Sequence, residues 1–143
     1  MSNLGASALV IGGLLSAAAA VAHLVCIAIG APAYRLMGAS ERMVHAVEAG
    51  KLKPALVTLA IAAVLFLWSG YAFAGAGVIE HLPFTKFLLV GICAVYLARA
   101  IAFPLLKTAF PANSQTFWLV SSGICLVVGS LHLVGIALQW AAL

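Results

Sequence analysis

Four long apolar runs dominate the chain, near Gly5–Ala31, Pro54–Ala74, Phe84–Leu106 and Phe117–Ala142. Crossing a hydrocarbon core of roughly 30 Å takes about 20 helical residues at about 1.5 Å each, and every run meets that length. Lipid offers no partner for open backbone groups, so a spanning segment is a helix or a strand of a closed barrel. These runs are too long and too uniformly apolar for barrel strands. The pattern therefore predicts an all-α integral membrane protein, one domain over residues 1–143, with four spans packed as a four-helix bundle.

The polar intervals add detail. Between the first two spans, "GASERMVHAVEAGKLKP" predicts a short helix with Ser40 as N-cap, Glu41 in the first turn and Gly50 just past the end. Met43, Val44 and Val47 gather on one side, while Glu41, His45 and Glu48 line another, so the helix is expected to lie in the membrane interface. Two carboxylates flanking an imidazole have the chemistry of a divalent-metal site, but one such stripe reads better as a solvated face, and no metal is expected. "HLVCIAIGAPAYRL" at the end of span one resembles "VYLARAIAFPLLKT" at the end of span three, with Pro32 opposite Pro104 and Arg35 opposite Lys107. Such a match is what a parallel repeat of two helical hairpins leaves behind, and what chance leaves between two apolar segments.

Composition agrees with the pattern: 66% of the 143 residues are hydrophobic, 7% are charged and there is no Asp, with a mean hydropathy of +1.23. That excludes an ordinary soluble domain. The small-residue stretch "SAAAAVA" has no basic segment before it and sits in too long a run for a secretory signal, so it is assigned to the first span. Cys26, Cys93 and Cys125 all fall within spans without metal-ligand spacing and read as packing residues. Arg35, Arg42, Lys51 and Lys53 occupy the first connection and Lys107 the third, whereas the second holds Lys86 offset by Glu80. The positive-inside rule then puts the first and third connections in the cytoplasm and both termini outside. A multi-pass location, in a bacterial inner membrane, is expected, and the excess positive charge implies contact with anionic lipid headgroups and no nucleic acid.

The candidate chemistry begins with Arg99, a charge inside an otherwise uncharged run. Counted along their helices, Arg99 and His23 both lie about 24 Å from the outer ends of their spans, so the two can be neighbours in the inner leaflet. His23 shares a face with Gly12, Ser16, Ala20 and Cys26, which predicts an imidazole turned toward protein. Tyr96, one turn before Arg99, is expected to share its face. A charge at that depth costs about 2.5 to 3.5 kcal/mol on insertion scales and calls for a partner. Snorkelling to the inner headgroups is one resolution, although helical side chains lean the other way here, toward the N-terminus. The other is an anionic ligand or lipid headgroup, with Arg35, Lys53 and Lys107 ringing the same mouth. His132 falls in the outer leaflet, where it is expected to be a satisfied interhelical hydrogen-bonding group. It lies roughly 16 Å from His23 along the membrane normal, too far for the pair to ligate one haem.

The segments "ERMVHAVEAGKLKPALVTLA" and "VYLARAIAF", with the length and topology, resemble the membrane-associated proteins in eicosanoid and glutathione metabolism. Those are four-span enzymes that assemble as trimers, with a similar loop and helix ending in Pro and an arginine after a Tyr-Leu pair in span three. The resemblance implies a glutathione site between subunits near the cytoplasmic face, contacted by Arg99 and Glu48. The chain departs from the family in three places. Its loop has no Asn, Ala102 and Leu106 stand where tyrosines are expected, and Asn113 stands where a thiol-activating arginine is expected. No cation is thus supplied for a thiolate. No catalytic set is singled out. The expectation is a protein that binds or moves an anionic or amphipathic small molecule or lipid through a basic pocket of Arg99, His23, Tyr96, Arg35, Glu48 and Lys107. The alternatives are a glutathione-dependent transferase or isomerase acting on a lipophilic substrate, and a structural or accessory subunit. Small-residue faces favour a homo-oligomer, dimer or trimer.

Overall fold

The computed structural model describes residues 3–111 and 113–143. Among them the chain forms α1 (Asn3–Ile29), α2 (Ala31–Leu36), α3 (Glu41–Glu48), α4 (Lys53–Gly75), α5 (Thr85–Ile101), α6 (Phe103–Ala109) and α7 (Gln115–Gln139), with no strand. Helices α1, α4 and α7 are each long and apolar enough to cross a membrane, and α5 with α6 makes a fourth candidate bent by 66°. These dimensions fit a multi-pass membrane protein.

The third run is thus not one straight helix over 84–106. Pro104 has no N–H to give to the carbonyl of Ala100, and its ring crowds that turn, so α5 stops at Ile101 and α6 restarts with Pro104 as its second residue. Span one ends in the same way: α1 stops at Ile29, Gly30 takes φ +92°, and α2 begins with Pro32 as its second residue. The two stretches that resemble each other in sequence therefore share a long helix, a break and a short proline-led helix.

Packing among the long helices relies on close approach. Ser69 of α4 donates to the Gly13 carbonyl of α1 at 2.8 Å. Gly12 of α1 faces the His132 ring, 2.9 Å from where a Cβ would stand, and Gly135 of α7 faces Leu9 of α1 at 2.4 Å. Cys93 of α5 donates to the Gly129 carbonyl of α7 at 3.4 Å. Small residues at these points let backbones meet, and such contact holds helices together where lipid supplies no hydrophobic drive. The buried core joins Leu9, Ala72, Leu89, Ile92, Tyr96, Val128 and Ile136.

At the basic end, α3 is capped as its sequence predicts, with the Met43 N–H donating to Ser40 Oγ at 3.3 Å, and Gly50 follows it with φ +71°. Val44 is wholly buried against Cys26 and Tyr34, so the apolar side of α3 is covered by protein. Tyr34 Oη lies 3.0 Å from Thr58 Oγ1, which ties α2 to α4. By contrast, α6 buries none of its residues. At the opposite end, His81 approaches the Leu143 carbonyl at 3.4 Å, and Lys86 sits 4.4 Å from the Trp140 ring centre.

Candidate functional site

The contacts that draw α1 and α7 together lie at Gly5 with Gln139, Leu9 with Gly135, and Gly12 with His132, all in one half of each helix. Beyond them, Ser16 turns to α5, where its hydroxyl lies 2.7 Å from Tyr96 Oη. Between the remaining halves is a cavity of about 1100 Å³. One wall is Leu15, Ala18, Ala19, Ala22 and His23 of α1; the other is Phe117, Val120, Ser121, Ile124 and Cys125 of α7. Arg35 and Leu36 of α2 and Asn113 close the basic end, and Arg99 enters from α5.

Arg99 has an unusual environment. Its Nη2 donates to Ser121 Oγ at 2.8 Å, and its guanidinium carbon lies 5.3 Å from the Trp118 ring centre. Its Nη1 is buried without a hydrogen-bond partner. The sequence holds three carboxylates, Glu41, Glu48 and Glu80, and none is within ion-pair distance of Arg99 or lines the cavity. A hydroxyl and an indole face lower the cost of the charge without neutralising it, because both remain neutral partners. The guanidinium does not run to an interface as a snorkelling side chain would; it turns onto α7.

Three of the expected site residues, Arg99, His23 and Arg35, line this cavity together. His23 Nδ1 lies 2.7 Å from the Ala19 carbonyl. A carbonyl only accepts, so Nδ1 carries the proton there. Arg35 also donates to Glu48 at 2.7 Å, and both side chains are about half exposed. Of the contacts the family resemblance implies, then, Glu48 pairs with Arg35 and does not line the cavity. Lys107 bonds Gln115 on the exposed surface, outside the lining. Tyr96 is in the core, edge-to-face with Trp68 and tilted against the His132 ring. His45 and Glu41 are exposed and 3.9 Å apart.

His132 differs from its expected role. Its Nδ1 donates within its own helix, to Val128 at 2.8 Å, and its Nε2 is buried without a partner. The ring joins α7 to α1 by packing on Gly12 and to α5 by packing on Tyr96, and makes no interhelical hydrogen bond. Sequence reasoning missed Ser121 and Trp118, and named Asn113 only as a departure from the family it resembles. Trp118, Ser121 and Cys125 recur at three- and four-residue spacing, so a search for acceptors facing Arg99 had a signal on α7.

Comparison with protein-family models, curated proteins and solved structures finds no match. The functional reading therefore rests on the geometry.

Proposed function

We propose that this chain is a four-span helical-bundle membrane protein that binds an amphipathic anion in the cleft between α1 and α7, with its basic end in the cytoplasm. One observation carries the reading: a half-buried arginine whose Nη1 is itself buried and lacks a partner, in a cavity that no carboxylate lines. A charge in that setting recruits an opposite charge, and this chain supplies none nearby, so the partner comes from outside. A guanidinium suits a carboxylate or phosphate, which its fork of N–H groups matches. The apolar walls suit the rest of an amphipathic molecule. In this reading α3 docks at the basic rim, where it holds Glu48 against Arg35 and away from the cleft.

The test is native mass spectrometry of protein released gently from its membrane, comparing wild type with Arg99→Gln. A defined anionic adduct on the wild type, absent from the variant, is expected. Bare wild-type protein, or an adduct that survives in Arg99→Gln, would overturn the reading.

A further inference from the structure

The cleft has two conceivable entrances, one toward the aqueous phase at the basic end and one sideways between α1 and α7, and the structure treats them differently. The aqueous end is bridged. Asn113, just before α7, donates through Nδ2 to the Gly38 carbonyl at 3.2 Å, joining the two basic connections across it. The Phe117 ring lies so close to Gly38 that a Cβ there would stand 2.2 Å from it, and Gly38 has φ +79°, a conformation that side chains disfavour. Gly38 thus lets the backbone fit under the aromatic ring.

The sideways entrance is open and apolar. Leu15 is 39% exposed, and Val120 and Ile124 are each 57% exposed, while Ala18 and Ala22 beside them are exposed as well. All five belong to both the cavity lining and the candidate membrane spans. Polarity is graded along the cleft. His23, Arg35, Asn113 and Ser114 lie toward the basic end, and Leu15 and Ile124 toward the middle of the helices. From Leu15 to His23 is about 12 Å of helix, and from Ser114 to Ile124 about 15 Å. With its head at Arg99 and Ser121, about 10 Å of helix in from Ser114, and its chain toward the midplane, an occupant keeps the orientation of a phospholipid of that leaflet.

Resting on the function proposed above, we infer that the occupant is an anionic phospholipid of the surrounding bilayer, admitted sideways between α1 and α7, with its phosphate at Arg99 and Ser121. Arg35 at the rim, only partly occupied by Glu48, supplies the second cation for a headgroup with net negative charge. A water-soluble anion would meet a tied entrance and leave the apolar walls of the cleft unused.

Trp118 beside the guanidinium provides the readout. Protein carrying Trp68→Phe and Trp140→Phe, so that Trp118 is the single tryptophan, is reconstituted in phosphatidylcholine vesicles. Brominated phosphatidylglycerol or brominated phosphatidylcholine is then titrated in. Phosphatidylglycerol is expected to quench at a lower mole fraction than phosphatidylcholine, and Arg99→Gln is expected to raise its half-quenching fraction about tenfold, the loss of one charge-assisted hydrogen bond. Arg99→Lys, which keeps the charge, should retain most of the preference and so shows that a loss in Arg99→Gln is not misfolding. Millimolar inorganic phosphate should leave the quenching unchanged, and Asn113→Ala, which unties the aqueous end, should leave the preference intact. Equal quenching by the two lipids, or displacement by inorganic phosphate, would overturn the inference. If equal quenching accompanies an Arg99-dependent adduct of a soluble or single-chain anion in the mass spectrum, the binding site stands and the phospholipid falls. If neither adduct nor preference is found, both fall.

Discussion

Gly135→Ala is expected to loosen the junction that holds α1 against α7 and so defines where the cleft begins. Leu9 is fully buried, with its Cγ 2.4 Å and Cδ2 2.7 Å from the site of a Cβ on Gly135, and its Cδ1 3.3 Å from the site of one on Gly75. It is seated between glycines of two other helices. An added methyl on Gly135 meets the branched carbon of Leu9, which has no free direction in which to swing. Overpacking of this kind costs about 1–3 kcal/mol. Replacing a helical glycine also gains up to about 1 kcal/mol of helix propensity. Gly91→Ala, where no atom lies within 4 Å, isolates that gain. Gly135→Ala should therefore be about 1–3 kcal/mol less stable than Gly91→Ala. Leu9→Ala alone should cost about 2–5 kcal/mol. Combining it with Gly135→Ala removes the clash, leaving the Gly5 carbonyl at 3.2 Å as the nearest neighbour, so the double variant should be more stable than the sum of the two. The assay is reversible unfolding in mixed micelles by SDS titration, followed by circular dichroism, on all four variants. Equal stability of Gly135→Ala and Gly91→Ala, or additivity within about 0.5 kcal/mol, would refute the argument.

Ser121→Ala takes away the one hydrogen-bond acceptor of Arg99, so it should cost about 1.5–3 kcal/mol in neutral detergent, and added anionic lipid should restore much of that in the same unfolding assay. Ser40→Ala removes the cap of α3 at about 1 kcal/mol, and amide exchange of Met43 should accelerate while that of the long helices does not change. Glu48→Gln breaks a half-exposed ion pair worth only about 0.2–1 kcal/mol, so stability should barely move and the small effect should shrink in high salt. If Glu48→Gln destabilises the protein by more than about 2 kcal/mol in thermal unfolding, α3 has a larger structural part than its exposed polar face implies.

Some of the candidate site was legible along the chain. Arg99 and His23 stand out because charged and titratable groups are rare in apolar runs, and helical rise places them at similar depth. Arg35 was legible from the charge of its loop. Tyr96 was misplaced, because residues three apart on a helix differ by about 60° in direction, enough to send one into the core and the other to its edge. Ser121 and Trp118 were passed over because serine and tryptophan are unremarkable in a span until a charge faces them. The bend after Ile101 was signalled by Pro104, yet a proline within a membrane helix is also tolerated as a kink, so the size of the turn was not fixed locally.

The sequence by itself determined the all-helical character, the positions of the long apolar segments and the cap of α3. Each follows from a local rule: backbone groups need partners in lipid, length must match thickness, and a serine at a helix start accepts an orphan N–H. Only the tertiary structure decided that α1 and α7 touch in one half and leave a cleft in the other, that Arg99 turns onto Ser121, and that Gly38 and Asn113 tie the basic end. Those depend on which faces of separate helices meet, and in lipid nearly every face is apolar. Without a contrast between inside and outside, the choice passes to a few glycines, hydroxyls and one half-buried charge whose partners lie far away along the chain.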